Sequence, residues 1–255
     1  MQLIVDVGNS YIKIFVFDDA TITVSYRYTH TDFFDALPHF FSTHSISCAI
    51  VSNVSGIQNV YQTIRTYVPT LEFSHRTPIP LANNYATPHT LGLDRIAAAV
   101  GAETVQPHCH KLIIDAGTAI TIDYVSDCAA FEGGNISPGI EARFRALHDY
   151  TGKLPKLNLT EKISLIGKTT EEAIQNGVIQ GVLYEIQTYI QIYAEKFPSI
   201  SVFFTGGNAD FLEKTIQIFD ANIRKHTSTA LIAQGLQRIL AYNQDSIAHN
   251  CLYVF

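Results

Sequence analysis

The sequence predicts an α/β fold made of two related domains that share a cleft. Strand-like and helix-like stretches alternate along the chain, which is the pattern of this fold class. Residues 3–9 and 112–118 align without a gap, and a second strand-like stretch follows each copy. Because the copies lie far apart in a chain of 255 residues, they indicate a duplicated domain rather than a short-period solenoid. The predicted domains span residues 1–110 and 111–255.

The first copy predicts a strand, a tight turn and a second strand. Residues 3–7 are apolar apart from Asp6, Gly8 opens the turn, and residues 11–17 resume with β-branched and aromatic side chains. The second copy has the same order, with Asp115 in the place of Asp6. We therefore expect an acid at the end of a buried strand, beside a glycine turn, in each domain.

The other elements follow from apolar runs and helical spacing. The remaining predicted strands lie at residues 46–51, 111–114, 120–125 and 200–204. The predicted helices lie at residues 94–106 and 170–197, from about residue 209, and at residues 228–242. Pro107 ends the alanine-rich helix that begins at Asp94.

Composition and charge narrow the possible functions. The chain has 17 Lys and Arg against 23 Asp and Glu, a formal net charge of −6. This balance argues against a nucleic acid or an anionic membrane held by bulk electrostatics. Apolar residues make up 47% of the chain, so disorder is excluded for most of it. No apolar run approaches ~18 residues and the start has no basic leader, so the sequence predicts a cytoplasmic protein.

The cysteines form no disulfide or metal pattern. They are scattered without a C-x-x-C pair, at Cys48, Cys109, Cys128 and Cys251. We expect reduced, mostly buried thiols. His108 and His110 flank Cys109, but adjacent residues point in different directions and no second ligand cluster follows at zinc-site spacing. Metal binding at this tripeptide is therefore disfavoured.

Both predicted turns have the composition of a polyphosphate site. A carboxylate beside a glycine turn places a hard oxygen ligand next to backbone N–H groups, as a cation-bound polyphosphate requires. In this hypothesis Asp6 and Asp115 bind cations, and Lys13 adds a positive charge. The neutral donors are Asn9, Ser10 and Thr118. An Asp-Gly pair alone is also an ordinary turn former, but repetition of the whole hairpin favours the functional interpretation.

Two common nucleotide-binding motifs are absent from the sequence. Gly167-Lys168-Thr169 resembles the end of a P-loop, but Lys162 stands where that motif needs glycine. No G-x-G-x-x-G is present either. The turn Thr205-Gly206-Gly207 follows a predicted buried strand, where its glycines would let a flat adenine or a ribose pass with little steric hindrance.

A second polar group lies at the start of the alanine-rich helix. Tyr85 precedes Gly92, and Asp94 and Arg95 open the helix. An acid at a helix start can simply cap the helix. Beside a bound γ-phosphate, Asp94 would instead accept a proton from an attacking hydroxyl, and Arg95 would hold a carboxylate or a developing phosphate charge.

The long predicted helix at residues 170–197 has one face without large side chains. Ala173, Gly177 and Gly181 are four residues apart, so this face permits close approach of another element. That element is either the sheet of the same domain or a second subunit. Thr170 lies in the first turn, and Thr169-x-x-Glu172 is a capping box.

Taken together, the motifs resemble the type III pantothenate kinases, of the actin, sugar-kinase and Hsp70 superfamily. The matching motifs are Asp6-x-Gly8-Asn9-Ser10 with Lys13, Gly92-x-Asp94-Arg95, Asp115-x-Gly117-Thr118-Ala119, Gly133-Gly134-x-Ile136-x-Pro138-Gly139, Leu154-Pro155, Thr170-x-x-Ala173-Ile174-x-x-Gly177 and Thr205-Gly206-Gly207. They cover essentially the whole chain in order. One departure is Leu93, where the family often has a smaller residue.

The resemblance implies a fold, a reaction and a set of partners. The fold is two actin-like (ribonuclease H-like) domains with an interdomain cleft. The reaction is ATP-dependent phosphorylation of pantothenate to 4'-phosphopantothenate, the first step of coenzyme A biosynthesis. The resemblance further implies Mg²⁺ with ATP, a monovalent cation (K⁺ or NH₄⁺), and a homodimer with a shared active site.

The resemblance also implies roles for individual residues. Asp94 matches the proton acceptor, Asp115 matches the monovalent-cation ligand, and Asp6 matches a contact of Mg–ATP. The residues that match ATP contacts are Asp6, Val7, Gly8, Asn9, Ser10, Tyr11, Ile12, Lys13 and Thr118. Those that match pantothenate contacts are Tyr85, Gly92, Leu93, Asp94, Arg95 and, from the partner subunit, Thr170.

Two other functions remain open at the level of sequence. The same two turns also suit a sugar kinase or a phosphohydrolase of the same superfamily. A non-catalytic regulatory relative is disfavoured, because the three acids Asp6, Asp94 and Asp115 are intact and no basic patch for reading DNA is evident.

Overall fold

The computed structural model of the chain describes residues 1–217, 220 and 222–244, and its contacts divide them into two compact units. Unit 1 is Met1–Pro107 together with residues 230–244. Unit 2 is His108–Thr229. Each unit has one main sheet with helices packed on it, so the predicted α/β class is confirmed.

The sheet of unit 1 has the strand order β3-β2-β1-β4-β5. These strands are β1 (Gln2–Val7), β2 (Ile12–Asp18), β3 (Thr21–Tyr28), β4 (Cys48–Asn53) and β5 (Thr70–Glu72). Strand β1 pairs antiparallel with β2 and parallel with β4, so the first hairpin lies at the centre of the sheet. A two-residue strand, β6 (Ala82–Asn83), completes the strands of this unit.

The strands of unit 2 repeat this arrangement in the order β11-β10-β7-β8-β9. They are β7 (Lys111–Ala116), β8 (Ala119–Val125), β9 (Ala130–Pro138), β10 (Ser201–Thr205) and β11 (Arg224–Thr227). Strand β7 pairs antiparallel with β8 and parallel with β10, as β1 does with β2 and β4. The duplication that the sequence shows at one hairpin therefore extends over five strands.

The helices fill the connections between these strands. They are α1 (Asp32–Thr43), α2 (Val60–Arg65), α3 (Leu93–Val105), α4 (Ile140–Thr151), α5 (Thr170–Lys196), α6 (Ala209–Thr215) and α7 (Leu231–Tyr242), with a 3₁₀ turn at Pro88–Thr90. In unit 1, apolar residues of β1 and β2 form a core with Phe33, Leu37 and Phe40 of α1. In unit 2, the corresponding core lies between β7, β8 and β10 and the helices α4, α5 and α6.

Helix α7 packs against α3 in unit 1, which corrects the predicted domain 111–255. The two helices meet at glycines, since a Cβ added to Gly235 would lie 1.8 Å from the carbonyl oxygen of Ala97. A Cβ on Gly101 would lie 2.3 Å from the carbonyl oxygen of Leu231. Only glycine permits this approach, so the last helix belongs with the N-terminal unit although it is distant in sequence.

The strands and helices that the sequence predicts are all present, with ends shifted by a few residues. The elements that were not predicted are the strands β3, β5, β6, β9 and β11 and the helices α1, α2 and α4. Pro38 lies inside α1 and two glycines interrupt β9, which weakens both local patterns. No helix within residues 1–217 and 222–244 combines the length and apolar character that crossing a bilayer needs.

The cysteines are less buried than predicted. Cys48 and Cys109 are half-buried and Cys128 is exposed, and no disulfide joins any two of them. Cys251 lies outside the described residues. The expectation of mostly buried thiols is therefore wrong for the part of the chain that the structure describes.

Candidate active site

The first turn of unit 1 is a closed hairpin loop at the end of β1. The N–H of Gly8 donates to the carbonyl oxygen of Tyr11 at 3.0 Å, and a ring nitrogen of His30 lies 3.1 Å from the carbonyl oxygen of Gly8. Asn9 and Ser10 are exposed at the tip. The N–H of Val54, after β4, donates to the carbonyl oxygen of Val7 at 3.1 Å and ties the turn to the next strand. The loop is thus fixed while its polar tip stays accessible.

Four polar residues form a row across the sheet beside this turn, which we call the unit 1 row: Ser52, Asp6, Lys13 and Arg27. Asp6 pairs with Ser52 of β4 on one side and with Lys13 of β2 on the other, and Lys13 pairs with Arg27 of β3. Residues paired in register on neighbouring strands share a face of the sheet. The α1 core uses the alternate residues of β1 and β2, so the row lies on the opposite face.

Asp6 is the one acid of this row, and its pKa is strongly shifted. Burial raises the pKa of its carboxyl group from 3.8 to about 6; the charge of Lys13 lowers this pKa and the negative charge of Asp94 raises it. Asp94 is therefore close enough to Asp6 for their charges to interact. Next to Asp6, the hydroxyl of Ser52 is fully buried and has no hydrogen-bond partner among the described residues.

The second turn has the same design in unit 2. The N–H of Gly117 donates to the carbonyl oxygen of Ala119 at 3.0 Å, and Thr118 at the tip is exposed. Gly139 packs on this turn, since a Cβ there would lie 2.2 Å from the carbonyl oxygen of Gly117. This close contact gives a structural reason for the glycine that ends the Gly133 to Gly139 motif.

The equivalent row of unit 2, the unit 2 row, contains Thr205, Asp115, Thr121 and Ile136. Asp115 pairs with the buried Thr205 of β10 and with Thr121 of β8, and Thr121 pairs with Ile136 of β9. No Lys or Arg occupies this row. Gly206 follows Thr205 with a φ of +88°, and a Cβ there would lie 2.4 Å from Oδ1 of Asp115. The backbone of the Thr205-Gly206-Gly207 turn therefore packs directly on the Asp115 carboxylate.

The predicted substrate residues converge at the start of α3. The N-cap of α3 is Gly92, and a Cβ there would lie 2.4 Å from Oδ1 of Asp94. Oδ1 of Asp94 accepts the N–H of Arg95 at 2.8 Å, so the acid does stabilise the first turn while remaining partly exposed. Arg95 is only 5% exposed, and its guanidinium lies 5.7 Å from the ring centre of Tyr85. The structure thus brings Tyr85 together with Arg95.

Thr170 is exposed at the start of α5 and does not cap it. The cap is Thr169, whose hydroxyl accepts the N–H of Glu172 at 3.2 Å. The Glu172 carboxylate accepts the N–H of Lys168 at 2.7 Å, one residue before the position that a standard capping box uses. The side chain of Thr170 is therefore available for another contact.

The small-residue face of α5 does not pack on the sheet of unit 2. Ala173 and Gly177 are exposed, and a Cβ on Gly177 would meet no atom within 4 Å. Other residues of α5, including Ile174, Val178 and Ile186, join the core of unit 2. Of the two open interpretations of this face, packing against its own sheet is wrong for Gly177.

The residues present fit the cations that the resemblance implies. Among the described residues, no group of three or more His, Cys, Asp or Glu side chains is placed to hold a metal ion. Mg²⁺ bound to a nucleotide needs only one or two protein carboxylates, because phosphates and water supply the other ligands. Asp6 beside its turn suits that role. Asp115 offers a carboxylate oxygen against glycine backbone, which suits a monovalent cation.

The His108-Cys109-His110 segment has partners of its own. His110 Nδ1 lies 2.9 Å from the hydroxyl of Tyr124, and the thiol of Cys109 lies 3.5 Å from the hydroxyl of Ser201. Both contacts are within unit 2 and far along the strands from the Asp115 turn, because Lys111 begins β7 and Asp115 nearly ends it.

Sequence patterns missed three residues around the first turn: Ser52, His30 and Arg27. Ser52 stands at the end of an apolar strand, as Asp6 does, and a comparison of strand ends would have found it. Arg27 lies on β3, which was not predicted, and His30 lies in the loop after that strand. Their positions depend on strand register, which no local pattern indicates.

Comparisons with known proteins agree on one family. The family model for type III pantothenate kinase matches residues 2–192. The chain is 38% identical over 247 residues to a type III pantothenate kinase of Phocaeicola vulgatus, covering 95% of this chain and 99% of the relative.

Two solved structures are similar over almost their whole length at low identity. One is described as a Baf family transcriptional activator from Campylobacter jejuni (TM-score 0.61, 21% identity, 95% of this chain and 99% of that chain). The other is described as a 2-dehydro-3-deoxygalactonokinase from Sinorhizobium meliloti (TM-score 0.61, 11% identity, the same coverage). At such identities they support the two-domain actin-like fold alone. The family model and the near full-length relative go further, and by both measures the chain belongs to the type III pantothenate kinase family.

Proposed function

We propose that this chain is a pantothenate kinase, which transfers the γ-phosphoryl group of ATP to the primary hydroxyl of pantothenate in coenzyme A biosynthesis. Family membership supports this reaction. The observation that carries the proposal is in unit 1, where Asp6 pairs with Lys13 beside the first turn and the charge of Asp94 contributes to the raised pKa of Asp6. An acid suited to accept a proton thus lies beside groups suited to bind phosphate.

Asp94 acts as the proton acceptor in this proposal. The hydroxyl oxygen of pantothenate attacks the γ-phosphorus, the bond from that phosphorus to the β–γ bridging oxygen breaks, and ADP leaves with that oxygen. The hydroxyl proton passes to the Asp94 carboxylate. Asp94 is partly exposed and anchored by the Arg95 N–H through one oxygen, which leaves its second oxygen for the proton.

Arg95 and Tyr85 hold the substrate. Arg95 is almost fully buried, and its guanidinium lies against the Tyr85 ring. A buried guanidinium binds a carboxylate strongly, and pantothenate carries one. Gly92 and Leu93 line the same start of α3 and complete the substrate contacts in the proposal.

The two turns bind ATP in the proposal. Residues 6–13 and Thr118 contact the nucleotide, with Lys13 neutralising phosphate charge and the exposed tips supplying donors. Mg²⁺, when bound with ATP, would further neutralise the phosphates, and Asp6 is the residue that would contact it. Asp115 would hold a monovalent cation, K⁺ or NH₄⁺.

We further propose a homodimer in which Thr170 reaches the partner's substrate. The support is the exposed Thr170 and the unpacked Ala173 and Gly177 face on the same helix. Mixed dimers of Asp94→Asn and Thr170→Val chains should regain up to about half of the wild-type activity, because two-fold symmetry leaves one intact site. No recovery after verified subunit exchange would reject the shared site.

A cytoplasmic location is part of the same proposal. Its support is that the chain belongs to a family of metabolic kinases.

The direct test is a product assay. Purified protein is incubated with ATP, Mg²⁺, K⁺ and pantothenate, and 4'-phosphopantothenate is measured by mass spectrometry. A panel of sugars replaces pantothenate in parallel reactions. Phosphopantothenate formation that requires ATP supports the proposal, whereas phosphorylation of a sugar alone, or ATP hydrolysis unaffected by pantothenate, would overturn it.

A further inference from the structure

Arg27 lies beside the first turn, and the proposed function gives it no role. It lies opposite Lys13 in the β2–β3 ladder, at the end of the unit 1 row. Its guanidinium lies 4.6 Å from the ring centre of Tyr11, which belongs to the turn. Tyr11 is 42% exposed and Arg27 is exposed, so both are accessible from the side of the turn.

The pairing of Lys13 with Arg27 is unfavourable unless an anion is present. Like charges directly opposite each other on neighbouring strands repel and destabilise the pair. Among the described residues, no acid forms an ion pair with Arg27. Asp6 balances Lys13 from the other side, which leaves the positive charge of Arg27 at the open end of the row.

The corresponding position in unit 2 shows that the fold does not require this charge. Ile136 takes that place on β9, next to the neutral Thr121. The two sheets have the same strand order, so a structural need for Arg27 would be expected in both. The second basic residue is present only in unit 1, whose row also contains Lys13.

We propose that Arg27 is a phosphate-binding residue, which contacts a phosphoryl oxygen of ATP together with Lys13. This inference rests on the proposed function, because it assumes that ATP occupies the first turn. The planar guanidinium can stack on an aromatic ring and still present N–H groups at its edge, and these match the spacing of two phosphate oxygens. The Tyr11 ring therefore orients Arg27 toward the tip of the turn.

The test measures nucleotide binding by calorimetry, without pantothenate. The ligands are a non-hydrolysable ATP analogue with Mg²⁺ and, separately, adenosine. The variants are Arg27→Gln, Arg27→Lys and a matched control, Arg65→Gln, which removes an exposed arginine at the end of α2 in the same unit. Thermal unfolding of each variant monitors the fold.

We expect Arg27→Gln to raise the Kd of the ATP analogue about tenfold, the equivalent of about 1.4 kcal/mol. Arg27→Lys should recover part of this loss, because lysine keeps the positive charge but lacks the paired N–H groups of the guanidinium. Adenosine affinity and the Arg65→Gln control should be unchanged. An unchanged Kd for the analogue in Arg27→Gln, or equal losses for analogue and adenosine, would overturn the inference.

The outcome for Arg27 is separable from that for the proposed function. If wild-type protein binds the analogue through Arg27 but makes no phosphopantothenate, the proposed reaction fails and the phosphate contact stands. If wild-type protein makes phosphopantothenate and Arg27→Gln binds the analogue normally, only the inference about Arg27 fails.

Discussion

The two sheets begin their polar rows alike and end them differently. Ser52 and Asp6 in unit 1 correspond to Thr205 and Asp115 in unit 2, each a hydroxyl and a carboxylate on neighbouring parallel strands. The next two positions hold Lys13 and Arg27 in one unit, but neutral side chains in the other. The matching pairs, each a hydroxyl and a carboxylate, reflect the duplicated backbone. The two positions that differ set the sign of the local charge. This charge favours phosphate in unit 1 and a cation beside Asp115 in unit 2.

The two turns also differ in length. Residues 8–11 connect the paired ends Val7 and Ile12, whereas residues 117–119 connect Ala116 and Ile120. The longer first turn exposes Asn9 and Ser10, and the shorter second turn is buttressed by Gly139. The gap-free alignment of the two copies therefore ends at the turn itself. In the proposed function, the longer first turn offers more exposed groups to the phosphates of ATP.

The largest effect is expected from Asp94→Asn. The amide keeps the shape of the side chain but cannot accept the proton, so kcat should fall by roughly 10² to 10⁴ while the Kd for ATP stays nearly constant. Steady-state kinetics and calorimetry measure the two quantities. The matched control is Asp32→Asn, which removes an exposed acid from the first turn of α1. A variant that keeps more than half of the wild-type kcat would remove Asp94 from the base role.

The comparison of the rows predicts that the K⁺ dependence of activity arises from unit 2. Asp115→Ala removes the only charge of the unit 2 row, so the K⁺ concentration for half-maximal activity should rise about 10- to 100-fold. Activity is measured across a K⁺ titration. Asp210→Ala, at the exposed start of α6, is the control. An unaltered K⁺ response in Asp115→Ala would place the cation elsewhere.

Asp6→Asn tests the cost of the desolvated carboxylate in unit 1. Because burial raises the Asp6 pKa from 3.8 to about 6, the folded protein holds this proton more tightly than the unfolded chain. Stability from Asp6 is therefore lost as the pH rises from about 4 to about 6, and it is not regained above that. Asp6→Asn should raise the free energy of unfolding at pH 7.5 by ~1–3 kcal/mol and lower activity.

Denaturant unfolding at pH 7.5 and at pH 4 measures this effect of Asp6→Asn. The gain should shrink toward zero at the lower pH, where the wild-type carboxyl is protonated in the folded protein. A variant less stable than the wild type at pH 7.5 would contradict the assignment of Asp6 as a costly buried acid.

A smaller effect is expected when unit 2 is given the charge pattern of unit 1. Thr121→Lys places an ammonium opposite Asp115, as Lys13 stands opposite Asp6. The tethered charge should compete with the monovalent cation and weaken the K⁺ response severalfold, on the order of 1 kcal/mol. Thr121→Met is the neutral control of similar length. Equal K⁺ responses in the two variants would show that the row does not set cation binding.

Local sequence patterns were sufficient to predict the secondary structure at the centre of each unit. The apolar run that ends at Asp6, its copy that ends at Asp115, and the alanine-rich helix after Gly92 each reflect side-chain preferences over a few residues. Tyr85 was grouped with Arg95 in the sequence, and the Arg95 guanidinium lies 5.7 Å from the centre of the Tyr85 ring. Strand β3 and helix α1 escaped prediction, because β3 is largely exposed and a proline interrupts the pattern of α1.

The sequence by itself determined the repeated hairpin, the acids at its two turns and the family to which the chain belongs. Only the tertiary structure decided which side chains stand next to them. Ser52 and Arg27 join the unit 1 row through the register of their strands with β1 and β2, and α7 joins unit 1 through Gly235. The physical reason is that strand register and helix contact depend on the packing of whole faces, whereas the pattern around a turn depends on neighbours along the chain.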